Sequence, residues 1–147
     1  KPESAMYDEA RLLAAHDGAE PVAKEACLAI GDRLDTDIEA GNRGGYDSLA
    51  VLTGVTNPHE LMFAPEHLRP TYIAKDLTGL NEPAPEVVHE AGAWSCRDVQ
   101  ACVDGDRLYV TDITSVDGLR AACAAMWDAA DRGHSVDGMI VPEFRIA

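Results

Sequence analysis

Apolar positions Met6, Ala10, Leu13 and Ala14 recur at helical spacing, and Pro2 suits a first helical turn, so the pattern predicts a helix over residues 3–16 that ends near Asp17-Gly18. The next pattern differs. Ala26-Cys27-Leu28-Ala29-Ile30 is an unbroken apolar run stopped by Gly31-Asp32, as expected of a parallel strand buried on both faces. Thr36 to Arg43 reads as a helix with Asp35 as its N-cap and Gly44-Gly45 as its stop, and Leu49-Ala50-Val51-Leu52 as a second short buried strand. Strand, helix, strand in that order implies a right-handed crossover.

After Thr53-Gly54-Val55-Thr56, the run Asn57-Pro58-His59-Glu60 supplies a capping residue, a first-turn proline and an acid at the third helical position, which predicts a helix ending before Pro65. Tyr72-Ile73-Ala74 suits a short edge strand and Asp76 to Leu80 a last turn. Asn81-Glu82-Pro83-Ala84-Pro85 then reads as a linker. Beyond it, Val99 to Val103 and Arg107 to Val110 flank Asp104-Gly105-Asp106, a hairpin signal. Ser115 caps a run in which Leu119, Ala122, Cys123, Met126 and Ala130 share one helical face, with Gly133 past its end. The expected organisation is therefore an α/β segment over 1–80, a linker over 81–85 and a small α+β extension over 86–147.

Composition narrows the partners. There are 12 Lys and Arg against 26 Asp and Glu, a formal charge of -14, spread evenly: 7 basic and 14 acidic residues up to Leu80, 5 and 12 beyond. Such a surface repels nucleic acid and anionic membrane. No apolar run approaches the roughly 20 residues needed to cross a bilayer. The four cysteines, Cys27, Cys96, Cys102 and Cys123, have irregular spacing and no secretory leader precedes them, which predicts free thiols and a cytoplasmic location. The chain opens on Lys1-Pro2 without a start methionine, which predicts that it is part of a longer polypeptide.

The candidate chemistry lies in Ile30-Gly31-Asp32-Arg33-Leu34-Asp35-Thr36-Asp37-Ile38, where three carboxylates fall within six residues just past a buried strand. In open α/β sheets the functional crevice lies outside the carboxyl ends of the strands, so Asp32 is expected to project into it. Gathered carboxylates repel one another unless a cation neutralises them, and hard oxygen ligands suit magnesium. An EF-hand reading of Asp35-x-Asp37-x-Glu39 fails, because Gly41 is one place late and the twelfth position is Tyr46. Cys96, Cys102 and His89 lack a Cys-x-x-Cys anchor for zinc. Cys123, on the apolar helix face, is expected in the core, Trp94 and Trp127 as packing residues, and Gly54 as a plain turn or a site of close backbone approach to phosphate.

Gly31-Asp32-x-x-x-x-Asp37 between a strand and a helix resembles motif IV of haloacid dehalogenase (HAD)-type hydrolases. The longer string through Ile38, with Ala40-Gly41-Asn42 and Val51-Leu52-Thr53-Gly54-Val55, is similar to the NagD-like phosphatases, and Lys1-Pro2 resembles the Lys-Pro of motif III. The resemblance covers about residues 1–80 and implies the C-terminal part of a doubly wound, Rossmann-like core with a parallel sheet.

It also implies roles. Asp32 would be a direct Mg2+ ligand, Asp37 would act through water or hold the motif III lysine, and Lys1 would be that catalytic lysine. The family's motif I Asp-x-Asp and motif II Ser or Thr have no counterpart in these residues, nor does the cap that selects the substrate. The implied parent is a magnesium-dependent phosphatase that passes through an aspartyl-phosphate and acts on a small phosphorylated metabolite, such as a sugar, glycerol or glycolate phosphate. The isolated chain is expected to be inactive. Its expected partners are the missing N-terminal half or a second copy forming a homodimer on an unpaired apolar strand edge. A reading from another class is a non-catalytic cation-binding or assembly module.

Overall fold

A computed structural model describes residues 4–15 and 20–146. By its internal contacts the chain divides into two compact units, one formed by residues up to Thr56 with Glu66–Asp76, the other by Asn57–Pro65 with the residues from Leu77 onward.

The first unit is α/β. Its sheet is parallel, with β1 (Leu28–Gly31), β2 (Asp47–Val51) and β3 (Tyr72–Ala74) lying in that order. Ile30 stands opposite Leu49 on one side of β2, and Ala50 opposite Ile73 on the other. Central β2 is buried from Ser48 to Val51, and Leu49, Val51 and Ala74 pack together. β1 departs from the expected two-sided burial: Ala29 is buried, but Leu28 and Ile30 are each 37% exposed. The reason is positional, since β1 pairs only with β2 among the described residues and only its Ala29 face is covered, by Gly41 of α2 (Glu39–Arg43).

Between β1 and α2 the chain does not make the continuous helix expected from Thr36. Leu34–Ile38 forms a wide π-type turn, in which the N–H groups of Asp37 and Ile38 both donate to the Arg33 carbonyl. Leu34 and Ile38 are fully buried and pin this turn. Asp35 does not act as the N-cap. Arg33 Nε donates to its carboxylate at 2.7 Å, and this pair is exposed. Asn42 ties α2 down, donating to the His67 and Arg69 carbonyls and accepting from Ser48 Oγ on β2. The N-terminal helix α1 spans Ala5–Leu13, and the expected stop at Asp17-Gly18 lies outside the described residues.

The second unit stacks a helix on an antiparallel meander, β4 (Val87–Glu90), β5 (Ala93–Cys96), β6 (Val99–Asp104) and β7 (Arg107–Val110). The β6–β7 hairpin turns at Gly105-Asp106 as the pattern predicts, with Asp104 opposite Arg107. The preceding two hairpins carry weaker signals because their turns place Ala91 and Arg97 at positive φ, a conformation that sequence reading assigns to Gly or Asn.

Helix α4 (Val116–Asp131) starts at Ser115, whose Oγ accepts from the Gly118 N–H at 3.1 Å. Leu119, Ala122, Cys123 and Met126 are buried along its sheet-facing stripe, where burial drives the Cys123 thiol far above its ordinary range. The short helix α3 (Pro58–Met62) packs on α4, and Trp127 Nε1 donates to the Leu61 carbonyl at 2.9 Å. Asn57 caps α3 through its side chain, as expected. No helix among the described residues is long and apolar enough to cross a membrane.

Candidate functional site

Asp32 follows the end of β1 and Asp37 lies within the π turn, and the structure seats each on a glycine. A side-chain carbon at residue 54 would fall within the Asp32 carboxylate, and one at residue 31 within the Asp37 side chain. Only the missing Cβ of Gly54 and of Gly31 lets the two carboxylates approach the backbone so closely. The loop after β2 also holds Asp32 by its main chain, through Thr56 N–H to the Asp32 carbonyl at 2.9 Å. Sequence alone left Gly54 open between a plain turn and a close backbone approach to phosphate. In the structure the group that approaches it is the Asp32 carboxylate.

Asp37 is gripped a second time. Tyr7 of α1 donates its hydroxyl to the Asp37 carbonyl at 3.2 Å, and burial, followed by the negative charge of Asp37, pushes the Tyr7 phenol above its usual value. Asp35, the third carboxylate of the string, is turned to Arg33, whose hydrogen bond holds it below the usual carboxylate range. Lys1 lies outside the described residues.

The donor set can be tested against a divalent cation. Among the described residues no group of three or more His, Cys, Asp and Glu side chains is placed to hold a metal, so no closed all-protein cage of the calcium or zinc kind is present. Magnesium makes a different demand, since it keeps several waters and is commonly held by one or two carboxylates. Two half-buried carboxylates at a strand end meet that demand. The loop after β2 carries Thr56 Oγ1, a buried hydroxyl with no protein partner, which leaves a donor free for water.

A model of the HAD-hydrolase-like family matches residues 1–80, more than half of the chain. The chain belongs to this family. That placement agrees with the motif IV resemblance of Gly31-Asp32 to Asp37 and with the parallel α/β unit. Among curated proteins the chain is 38% identical over 116 residues to D-glycerol 3-phosphate phosphatase of Mycobacterium tuberculosis, spanning 71% of this chain and 31% of that protein. It is 39% identical over 51 residues to phosphoglycolate phosphatase 2 of Arabidopsis thaliana, which covers 35% of this chain and 17% of the relative.

Among solved structures, a glycerol phosphate phosphatase from Mycobacterium tuberculosis in complex with magnesium superposes with a TM-score of 0.64 at 34% identity, covering 87% of this chain and 36% of that one. The same enzyme in complex with calcium gives a TM-score of 0.58 at 32% identity, over 89% and 36% of the two chains. This HAD-like chain thus spans about a third of the length of the glycerol phosphate phosphatases reported above.

Outside this region the second unit holds reactive side chains in packed roles. Cys96 is fully buried and donates to Asp117 Oδ1 at 3.4 Å, and burial, followed by this hydrogen bond, pushes its thiol up to about 11. Asp117 also pairs with Arg120 and Arg97. Tyr7 is the residue of the site that sequence reading missed. A tyrosine on an amphipathic helix carries no mark of a partner 30 residues away.

Proposed function

We propose that the chain is the C-terminal, cation-binding portion of a magnesium-dependent phosphomonoesterase of the NagD-like branch, with residues 1–80 in the phosphatase core and 86–147 as an accessory unit. The observation that carries this reading is the seating of Asp32 and Asp37 on Gly54 and Gly31 at the carboxyl end of β1. Asp32 is the direct ligand. Asp37 binds the water shell or holds the lysine of motif III, the role proposed for Lys1. When bound, magnesium neutralises charge on the phosphoryl oxygens during transfer.

The chain's own residues do the positioning. The Gly54 and Thr56 backbones fix the Asp32 side chain and carbonyl, so the carboxylate reaches its productive place without reorganising. The Lys1 ammonium offsets negative charge beside the transferring group. The nucleophilic carboxylate that would form the aspartyl-phosphate belongs to motif I, which these 147 residues do not contain. The substrate is a small phosphorylated metabolite, and the relatives' names favour a glycerol or glycolate phosphate. The protein is cytoplasmic. The half-exposed Leu28 and Ile30 edge of β1 receives either the rest of the phosphatase core or a second copy of this chain.

Turnover of p-nitrophenyl phosphate tests the reading. The full polypeptide hydrolyses it only with magnesium, Asp32→Asn lowers that rate at least about 100-fold, and the isolated 147-residue chain is inactive. Robust turnover by the isolated chain, or by the Asp32→Asn variant, overturns the assignment.

A further inference from the structure

Helix α1 buries none of its residues, and Met6, Leu12 and Leu13 are each more than half exposed. Apolar burial therefore does not fix its place on the first unit. Directional contacts do. Tyr7 reaches the Asp37 carbonyl, and its ring meets the Tyr46 ring edge-on at 6.1 Å. Tyr46, only 6% exposed, donates to Asp8 Oδ1 at 2.5 Å and accepts from Arg11 Nε at 3.3 Å. Lys24 completes the clamp, 5.3 Å over the Tyr46 ring, 3.8 Å from Asp8 and donating to the Gly44 carbonyl at 2.8 Å.

The consequence falls on Asp37. Its side chain is held against Gly31 and its carbonyl by Tyr7, so the residue is fastened from two directions by two different segments. We infer that Tyr7, supported by the Tyr46–Asp8 bond, is a positioning residue for the carboxylate loop, locking the main chain at Asp37 and setting the register between α1 and the π turn. Its functional meaning rests on the phosphatase reading above, but the mechanical claim does not. Helix α1 rides on the loop through Tyr7, and a shift of one is a shift of the other.

Tyr7→Phe removes one hydroxyl and keeps the ring. In the full polypeptide without metal, amide hydrogen exchange of residues 34–38 should accelerate roughly fivefold, as for the loss of one hydrogen bond. Exchange in β4–β7 should stay unchanged. The magnesium concentration for half-maximal p-nitrophenyl phosphate turnover should rise by a similar factor, while KM changes less than about twofold. Tyr109→Phe, at an exposed position in β7, leaves all three readouts as in the wild type.

Unchanged exchange at 34–38 in Tyr7→Phe overturns the inference. So does uniform acceleration across the whole chain, which would make Tyr7 a general stability contact. Asp32→Asn separates the two levels. If the full polypeptide shows no magnesium-dependent turnover the phosphatase reading fails, and if Asp32→Asn keeps that turnover the ligand role of Asp32 fails, while in both cases the exchange data still decide the role of Tyr7. If Asp32→Asn is inactive and Tyr7→Phe matches the wild type in exchange and magnesium dependence, only the positioning role fails.

Discussion

Where the second unit lays Leu119, Ala122, Cys123 and Met126 of α4 on an antiparallel sheet, the first unit packs two carboxylates onto glycines. The two kinds of packing serve different ends. Burying aliphatic and thiol groups removes apolar area from water at about 25 cal/mol per Å2 and needs no further partner. Packing a carboxylate against backbone strips part of its hydration and is unfavourable until a counter-charge arrives. The α4–sheet packing of the second unit is therefore favourable by itself, whereas the carboxylate packing of the first carries a desolvation cost.

The most severe way to break this comparison strikes the apolar side. Leu119 is fully buried, and Leu119→Ala should cost about 2–5 kcal/mol, read as a lowered melting temperature or denaturation midpoint. Its folded state should keep wild-type affinity for magnesium. A magnesium defect in the folded variant would show that the two units do not divide stability and chemistry in this way.

Gly54→Ala makes the converse test. The new methyl cannot coexist with the present Asp32 carboxylate, so magnesium affinity should fall about 10- to 100-fold, the range for losing a ligand's support, with the far-ultraviolet circular dichroism of the folded chain retained. Wild-type affinity would mean that Asp32 can bind from another rotamer, and the glycine seat would lose its significance. The smallest effect sharpens the boundary between the two kinds of packing. Ser115→Ala removes the cap of α4 and should cost about 1 kcal/mol in chemical denaturation, with no change in magnesium dependence.

Elements with strong local chemistry were legible in the sequence. Ser115 and Asn57 cap the helices they precede, Gly105 turns the β6–β7 hairpin, and the apolar stripe of α4 faces its sheet. Elements set by competition were not. Asp35 reads as a cap, but Arg33 two residues earlier takes its carboxylate, and the deep burial of Leu34 and Ile38 widens the turn around it. The hairpins at Ala91-Gly92 and Arg97-Asp98 were hidden because a non-glycine residue adopts positive φ in each. Helix α3 follows the first-unit strands closely in sequence yet packs on α4, a choice made by the Trp127 hydrogen bond to Leu61 some 66 residues away.

By itself the sequence determined the family, through the spacing of Gly31, Asp32 and Asp37 after an apolar run. Those features are local, because a strand end and the turn that follows it place their own residues. Only the tertiary structure decided which glycine seats which carboxylate, that Asp35 turns away to Arg33, and that Tyr7 fastens Asp37 across 30 residues. Such contacts depend on which segments meet in space, and no periodicity or capping rule encodes the meeting of two segments far apart in the chain.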